Sequence, residues 1–151
     1  MVTLRPANSN DIETLQKLLA MLFTLEQDFE PDVRKQHLGL ELLLKSDQSH
    51  VVIAETAGDV IGMATLQLVI STAEGAAAAW IEDVIVDPAW RGQGIGGRLL
   101  DSLAEWATTK GVTRLQLVAD CNNQPALDFY ASQGWDQTAL IALRKTLKVS
   151  T

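Results

Sequence analysis

A run of apolar residues that ends at a proline and passes into a glycine-rich segment constrains this chain more than any other feature. Residues 80–86 are rich in β-branched and apolar side chains, and Asp87-Pro88 follows them at once. Proline cannot continue the hydrogen-bond ladder of a sheet, so this pattern indicates a strand that ends in a sharp turn. Apolar residues then recur at helical spacing from Ile95 to Trp106. The sequence therefore predicts a strand, a glycine loop and a helix, in that order.

The glycine loop has the chemistry of a phosphate site. Its residues are Arg91, Gly92, Gln93, Gly94, Ile95, Gly96 and Gly97. Glycine has no Cβ, so its backbone adopts positive φ at little cost and a ligand can approach it closely. The unpaired N–H groups and the positive dipole end of a helix start bind anions, and Arg91 adds a positive charge. A single loop glycine more often only shapes a turn, but several alternating glycines after an arginine favour an anion site.

Two common phosphate-binding motifs fit this loop poorly. A P-loop needs Lys-Ser or Lys-Thr after its last glycine, whereas Gly96 is followed by Gly97-Arg98. A dinucleotide-binding fingerprint fits only by choosing among the glycines. The order Arg91-x-x-Gly94-x-Gly96 instead resembles the coenzyme A pyrophosphate loop of the GNAT superfamily of N-acetyltransferases. The resemblance extends from Leu4–Ala7 to the segment 123–135.

Composition fits one globular domain and argues against several other classes. The chain has 151 residues, 47% of them hydrophobic, which suits a single domain with a sizeable core. The resemblance implies that residues 1–151 form one acetyl-CoA-dependent N-acetyltransferase domain. A net charge of −7, with the 12 basic residues scattered along the chain, argues against a surface that binds nucleic acid. The single cysteine, Cys121, and two well-separated histidines argue against a disulfide and against a metal site. With no apolar leader and no membrane-length apolar run, a cytoplasmic location without membrane contact is expected.

The remaining pattern predicts a mixed α/β protein. Asn10, with Glu13 three residues later, predicts the N-cap of a first helix, and Asn123 the cap of a late one. The segment Ser71–Ala79 is expected to be a flexible connection or a short helix. Further elements are a helix over 33–45, a hairpin turn over 57–59, and strands over 50–55, 60–70, 113–119 and 138–147. We therefore predict a mixed sheet, splayed at its centre and flanked by helices, as in the GNAT-like acyltransferase fold.

The resemblance implies acetyl-CoA as co-substrate, with no other cofactor. In such enzymes the pantetheine arm pairs with the central strand, at positions that match Val84, Ile85 and Val86. An asparagine before the late helix contacts coenzyme A, which corresponds to Asn123, and a tyrosine near the end of that helix lies by the thioester sulfur, which corresponds to Tyr130. The structural alternative for the strand residues Val84 and Val86 is core packing. For Asn123 it is helix capping, and for Tyr130 it is a half-buried aromatic ring.

Acetyl transfer to an amine needs a base for the ammonium, donors for the oxyanion and a proton for the leaving thiolate. Glu82 is the candidate base, acting directly or through water, and Tyr130 is the candidate acid. A backbone N–H near Val84 can stabilise the oxyanion. Asp83 is expected on the opposite face from Glu82 unless a bulge intervenes. A solvated or salt-bridged strand residue is the alternative for Glu82.

An acidic segment follows the first predicted helix. Its carboxylates are Glu26, Asp28, Glu30 and Asp32. The resemblance implies that this loop helps to wall the acceptor side of the cleft, where negative potential would attract a cation. A merely solvated acidic surface is the alternative.

These patterns together predict an N-acetyltransferase that moves an acetyl group from acetyl-CoA to a primary amine, with Glu26, Asp28 and Glu30 contacting a small cationic acceptor. A non-catalytic acyl-CoA-binding or regulatory module of the same fold is the alternative. Homodimers are common among the proteins that this chain resembles, so self-association is a further expectation.

Overall fold

Five strands of the described residues form one sheet, in which they lie side by side in sequence order. In this computed structural model, which describes residues 1–25 and 32–149, the strands are β1 (Thr3–Pro6), β2 (Ser49–Thr56), β3 (Asp59–Ser71), β4 (Ala76–Val86) and β5 (Leu115–Gln116). The α-helices of these residues are α1 (Ile12–Leu25), α2 (Val33–Lys45), α3 (Ile95–Thr109) and α4 (Gln124–Ser132). Strands β1 to β4 pair antiparallel, and β5 pairs parallel with β4. The predicted mixed α/β class is confirmed.

The chain divides into two compact units, Met1–Leu117 and Val118–Thr151. The first unit holds the sheet with α1, α2 and α3, and the second holds α4. A single acetyltransferase domain over 1–151 stays a prediction. None of the helices within the described residues combines the length and apolarity that a membrane crossing requires.

Two hairpin turns connect the three central strands. The predicted turn between β2 and β3 is confirmed, because Ala57 and Gly58 both have positive φ, 49° and 85°, as the favoured two-residue hairpin turns require. The expected flexible linker or helix over Ser71–Ala79 is wrong. Gly75, with φ of 67°, donates its N–H to the Ser71 carbonyl at 2.9 Å and closes a second turn, so β4 begins at Ala76. Pairing with β3 has overridden the weak strand propensity of alanine.

The start of α1 also differs from the prediction, because Asn8 rather than Asn10 is the cap. The Asn8 side chain accepts the Asn10 N–H at 2.9 Å, and Asp11 accepts the Asn8 N–H at 2.8 Å, which makes a capping box before a short 3-10 turn. Arg5 donates twice to Asp11, at 2.9 Å each, and its Nε lies 3.1 Å from Glu55 of β2. This hydrogen-bonded pair lowers the pKa of the Asp11 carboxyl. The ion pair between Arg5 and Asp11 therefore explains why Asn8, and not Asn10, provides the cap.

In the second unit the late helix forms and the expected closing strand does not. Asn123 caps α4 by accepting the Ala126 N–H at 3.2 Å, and Gly134, with φ of 87°, follows the end of the helix, both as predicted. No strand is assigned to 138–147, and Leu140 and Leu143 are 75% and 87% exposed. An alternating pattern forms a strand only where a ladder partner is available, and no described residue pairs with this stretch.

The two faces of the sheet are covered by different helices. Met63 and Ile85 are register partners and belong to a buried cluster with Leu15, Leu18 and Leu19 of α1 and Leu40 of α2. The alternate residues of β3 face α3. A Cβ built at Gly62 would lie 3.3 Å from Leu99 Cδ1 of α3, so glycine allows that helix to approach the sheet closely.

A stacked ring pair joins β2 to α3. The rings of His50 and Trp106 lie 4.8 Å apart at an angle of 7°, and Lys110 Nζ lies 5.3 Å from the centre of the Trp106 ring. Burial lowers the pKa of His50, because the charged imidazolium is less well solvated there.

This pKa shift predicts acid sensitivity of the fold. A histidine whose pKa is lower in the folded state stabilises the protein above its unfolded value of about 6.5, and that contribution is lost as the pH falls from there through the lowered value. His50→Phe retains a stacked ring and removes the titration. We expect thermal unfolding followed by circular dichroism to show a smaller loss of Tm between pH 7.5 and pH 5 in this variant than in the wild type. An equal loss in both proteins would exclude His50 as the source.

Candidate active site

The loop between β4 and α3 has the backbone shape of an anion site. Gly92 and Gly94 both have φ of +77°, and Gly94 precedes the first residue of α3 with no side chain capping the helix. A Cβ added at either glycine would meet no atom within 4 Å, so the space above the loop is open. The first N–H groups of α3 are thus presented to that space. The predicted order of strand, glycine loop and helix is confirmed.

Arg91 fastens this loop to the preceding strand. Its Nε donates to the Val86 carbonyl at 3.0 Å, and its side chain is exposed. The bond uses one of the five guanidinium N–H donors, so the positive charge is held beside the loop while the group stays accessible. An exposed, anchored arginine next to an open helix start suits a pyrophosphate.

Next to the loop, β4 has an open edge. The ladder between β4 and β5 consists of two pairs, Ala79–Leu115 and Trp80–Gln116. The described residues of the first unit provide no strand partner on this side of β4 from Ile81 to Val86. The predicted splay between the two parallel strands is therefore present, and it ends at the glycine loop.

A β-bulge lies in β4 opposite Thr65. The pairs on either side of it are Leu66–Ile81 and Ala64–Val84, so Glu82 and Asp83 together stand opposite the single residue Thr65. Thr65 shares a sheet face with Met63, the face that α1 and α2 cover. The exception allowed for Asp83 therefore applies: a bulge intervenes and offsets the alternation by one residue, so Asp83 does not point to the opposite face from Glu82.

The bulge also decides which backbone groups face the splay. Asp87, at the end of β4, donates its N–H to the Ile61 carbonyl of β3 at 2.8 Å. Backbone groups alternate in direction along a strand, so Val84 and Val86 direct theirs away from β3 and into the splay. Ile85 pairs with Met63, and its side chain is buried in the core. Of the three positions predicted for the pantetheine arm, Val84 and Val86 are thus the ones with outward backbone groups.

The candidate catalytic side chains lie in different units. Glu82 is exposed on β4, in the first unit. Tyr130 is half-buried in α4, in the second unit, where its ring centre lies 5.9 Å from that of Trp135 and 5.2 Å from that of Phe129. Asn123 is used as the cap of α4, as its structural alternative proposed.

The predicted acceptor residues Glu26, Asp28 and Glu30 lie outside the described residues. Asp32 is described, and its carboxylate caps α2 by accepting the N–H groups of Arg34 and Lys35 at 3.1 and 3.2 Å. Thr65 was missed by sequence reasoning, since its role depends on a strand partner that is distant in the chain.

The profile of the Acetyltransferase (GNAT) family matches residues 14–135, most of the chain. The chain belongs to this family. The protein is therefore an acetyl-CoA-dependent N-acetyltransferase, in agreement with its open strand edge and its glycine loop. Of the two predicted alternatives, an enzyme and a non-catalytic module, this is the enzyme.

Relatives of this N-acetyltransferase differ in length and in acceptor. An uncharacterized N-acetyltransferase of Methanocaldococcus jannaschii is 29% identical over 100 residues, which are 66% of this chain and 44% of that protein. Thialysine N-epsilon-acetyltransferase of Bos taurus is 40% identical over 55 residues, 36% of this chain and 32% of the relative. The chain therefore spans less than half of each of these two proteins. A solved aminoglycoside acetyltransferase, meta-AAC0020 from an uncultured soil metagenomic sample, in complex with sisomicin, superimposes with a TM-score of 0.80 at 25% identity over 97% of both chains.

The geometry of the loop predicts how this N-acetyltransferase responds to coenzyme A. A ligand at about 100 times its dissociation constant stabilises a protein by about 2.7 kcal/mol, so coenzyme A should raise the Tm of the wild type. Gly94→Asp places a carboxylate where the pyrophosphate is expected, and we expect the coenzyme A-induced rise in Tm to disappear.

Gly58→Asp is the matched control, since Gly58 also has positive φ and open surroundings but lies in the turn between β2 and β3. It should lower the starting Tm through the same backbone strain and keep the rise with coenzyme A. A rise of equal size in both variants would contradict the assignment of the loop.

Proposed function

We propose that this N-acetyltransferase acetylates a primary amine of a small cationic acceptor, with Glu82 as the general base and Tyr130 as the general acid. The observation that carries the proposal is the bulge in β4. It accompanies an exposed carboxylate at Glu82 and an outward N–H at Val84 on a strand whose open edge ends at the anion loop.

The reaction assigns one task to each of these groups. The acceptor arrives as an ammonium, and Glu82 takes its proton directly or through a water molecule, which frees the nitrogen lone pair. The amine nitrogen then attacks the thioester carbonyl carbon, and the outward N–H of Val84 donates to the oxyanion that forms. When the carbon–sulfur bond breaks, the electron pair goes to sulfur and Tyr130 supplies the proton. The excess proton on nitrogen is lost to solvent as the amide forms.

Acetyl-CoA is held by main-chain groups in this proposal. Val84 offers its outward N–H and C=O to the pantetheine arm, and Val86 offers its outward N–H, since the Val86 carbonyl already accepts from Arg91. The arm then pairs with β4 as an added strand would. The loop over 91–97 takes the pyrophosphate, and Asn123 is a further proposed contact to coenzyme A. Main-chain recognition of this kind explains why the strand positions themselves are ordinary apolar residues.

A cationic acceptor is supported by charge and by the relatives. Four carboxylates occur within the segment 26–32, in a chain of net charge −7. Thialysine and the aminoglycoside sisomicin, named for two of the similar proteins, are both amines with cationic groups at neutral pH. A cluster of like charges raises the local concentration and the encounter rate of such a substrate.

The catalytic roles predict large losses of turnover with little change in coenzyme A affinity. Glu82→Gln removes the base, and Tyr130→Phe removes only the phenolic proton. Each should lower kcat by about 10²–10⁴-fold, the usual contribution of general acid or base catalysis. Release of free thiol from acetyl-CoA in the presence of an amine measures the rate. Glu105→Gln, an exposed carboxylate on α3, is the control and should keep wild-type turnover. Full activity in Glu82→Gln would eliminate the carboxylate as an essential base.

The acidic segment predicts salt-dependent recognition of the acceptor. Replacing Glu26, Asp28 and Glu30 by their amides should raise KM for a diamine or aminoglycoside by roughly tenfold at low salt, the lower end of electrostatic steering effects. The KM difference between this variant and the wild type should shrink as salt is added, because salt screens long-range attraction between charges over about 8 Å at physiological ionic strength.

A charge-matched control separates local recognition from net charge. The triple variant of Asp47→Asn, Asp101→Asn and Glu105→Gln removes the same number of carboxylates, and these three side chains are exposed at other positions. It should leave KM for the cationic amine near the wild-type value. If both triple variants change KM equally, the segment 26–30 has no specific part in recognition.

A further inference from the structure

Thr65 is a polar residue in the interior of the sheet, and all of its side chain is buried. Its hydroxyl donates to Asp83 Oδ2 at 2.9 Å and accepts the backbone N–H of Asp83 at 3.1 Å. We propose that Thr65 is a positioning residue for acetyl transfer, which holds Glu82 in place by locking the bulge of β4. The proposal rests on the proposed function of Glu82 as the base.

The first step concerns the backbone of the bulge. Where two residues oppose one, the ladder cannot pair every N–H and C=O group of the bulged strand. A buried N–H without an acceptor is strongly disfavoured. The Thr65 hydroxyl accepts the Asp83 N–H, so a side chain of β3 replaces the missing main-chain acceptor.

The second step concerns the direction of the hydroxyl proton. The Thr65 oxygen accepts the backbone N–H of Asp83, so the hydroxyl proton of Thr65 can point to the Asp83 carboxylate. Thr65 thus holds Asp83 by both its backbone and its side chain. A hydrogen bond to a charged acceptor is stronger than one between neutral groups. Glu82 is the other bulge residue, so its Cα position is set by the residue that Thr65 holds.

The third step shows why loss of the hydroxyl should loosen the bulge without unfolding the strand. Closing the bulge would slide the rest of β4 by one residue and turn Ile85 out of the core, where it is 4% exposed. The apolar pattern therefore keeps the register whether or not residue 65 has a hydroxyl. What the hydroxyl adds is a fixed geometry at Glu82, and general-base catalysis depends on that geometry.

A double-mutant cycle with Glu82 tests the proposal. Thr65→Val keeps the shape of the side chain and removes the hydroxyl. In the wild-type background we expect kcat to fall by about tenfold or more, and in the Glu82→Gln background by less than about threefold, because a base that is already absent cannot be misplaced. Thr65→Ser restores the hydroxyl and should recover kcat to within about threefold of the wild type.

A control in the same strand separates positioning from general damage to the core. Met63→Leu changes a fully buried side chain two residues away on the same face, and it should lower Tm without lowering kcat. Circular dichroism checks that each variant is folded. If Thr65→Val does not fold, Thr65→Ala takes its place in the same cycle.

The outcomes separate the two proposals. Suppose that Glu82→Gln has a low kcat, but that Thr65→Val lowers kcat by the same factor in both backgrounds or does not lower it at all. Thr65 then has only a structural role, and the proposed base stands. If Glu82→Gln alone retains full activity, the proposed base is wrong and the positioning role of Thr65 is overturned with it. A Thr65→Ser variant as slow as Thr65→Val would also overturn the role, because the hydroxyl would then not be the group that matters.

Discussion

The structure depends on an asymmetry in the hydrogen bonding of β4. On one side this strand pairs with β3 from Ala76 to Val86, and on the other it pairs with β5 at Ala79 and Trp80. Because the first ladder holds the strand in place, the second edge can remain open without loss of the sheet. From Ile81 to Val86 this edge has no strand partner among the described residues of the first unit, and it lies next to a loop whose shape suits an anion. An extended, phosphate-bearing co-substrate requires such an arrangement.

The position of that loop is set by the packing of α3. Leu99 and Leu103 are fully buried against the sheet, and burying such side chains stabilises the fold by about 1.5–3 kcal/mol each. Gly62 lets the helix approach, so the start of α3 is brought to the end of β4. The loop requires positive φ angles at positions 92 and 94, and the glycines there adopt such angles without strain. Hydrophobic packing on one side of the helix thus supports polar recognition at its end.

Local sequence signals predicted the parts of the fold that depend on neighbouring residues. The Ala57-Gly58 hairpin, the cap at Asn123 and the loop from Arg91 to Gly97 follow from the conformational limits of proline, glycine and asparagine, which act within a few positions. The predictions that were wrong involve distant partners. The alanines after Gly75 form a strand because β3 pairs with them, and Asn8 caps the 3-10 turn before α1 because Arg5 holds Asp11. The alternating pattern over 138–147 found no ladder partner among the described residues.

In the candidate site, too, features set by neighbouring residues could be predicted from the sequence, whereas features set by distant partners could not. The residues from Arg91 to Gly97 were enough to indicate an anion site at the start of a helix, because glycine conformations and helix-start donors are properties of a short segment. Acetyl-CoA as the co-substrate was implied by the resemblance of this segment to the coenzyme A loop of the GNAT superfamily. The bulge could not be predicted from the sequence, because it is a register offset between two strands. Its partner residue, Thr65, lies 18 positions from Asp83. That offset turns Glu82 and Asp83 to one face and directs the N–H of Val84 into the splay. Sequence therefore determined which groups are available for chemistry, and strand pairing decided where they point, because side-chain direction in a sheet reverses with every single-residue shift.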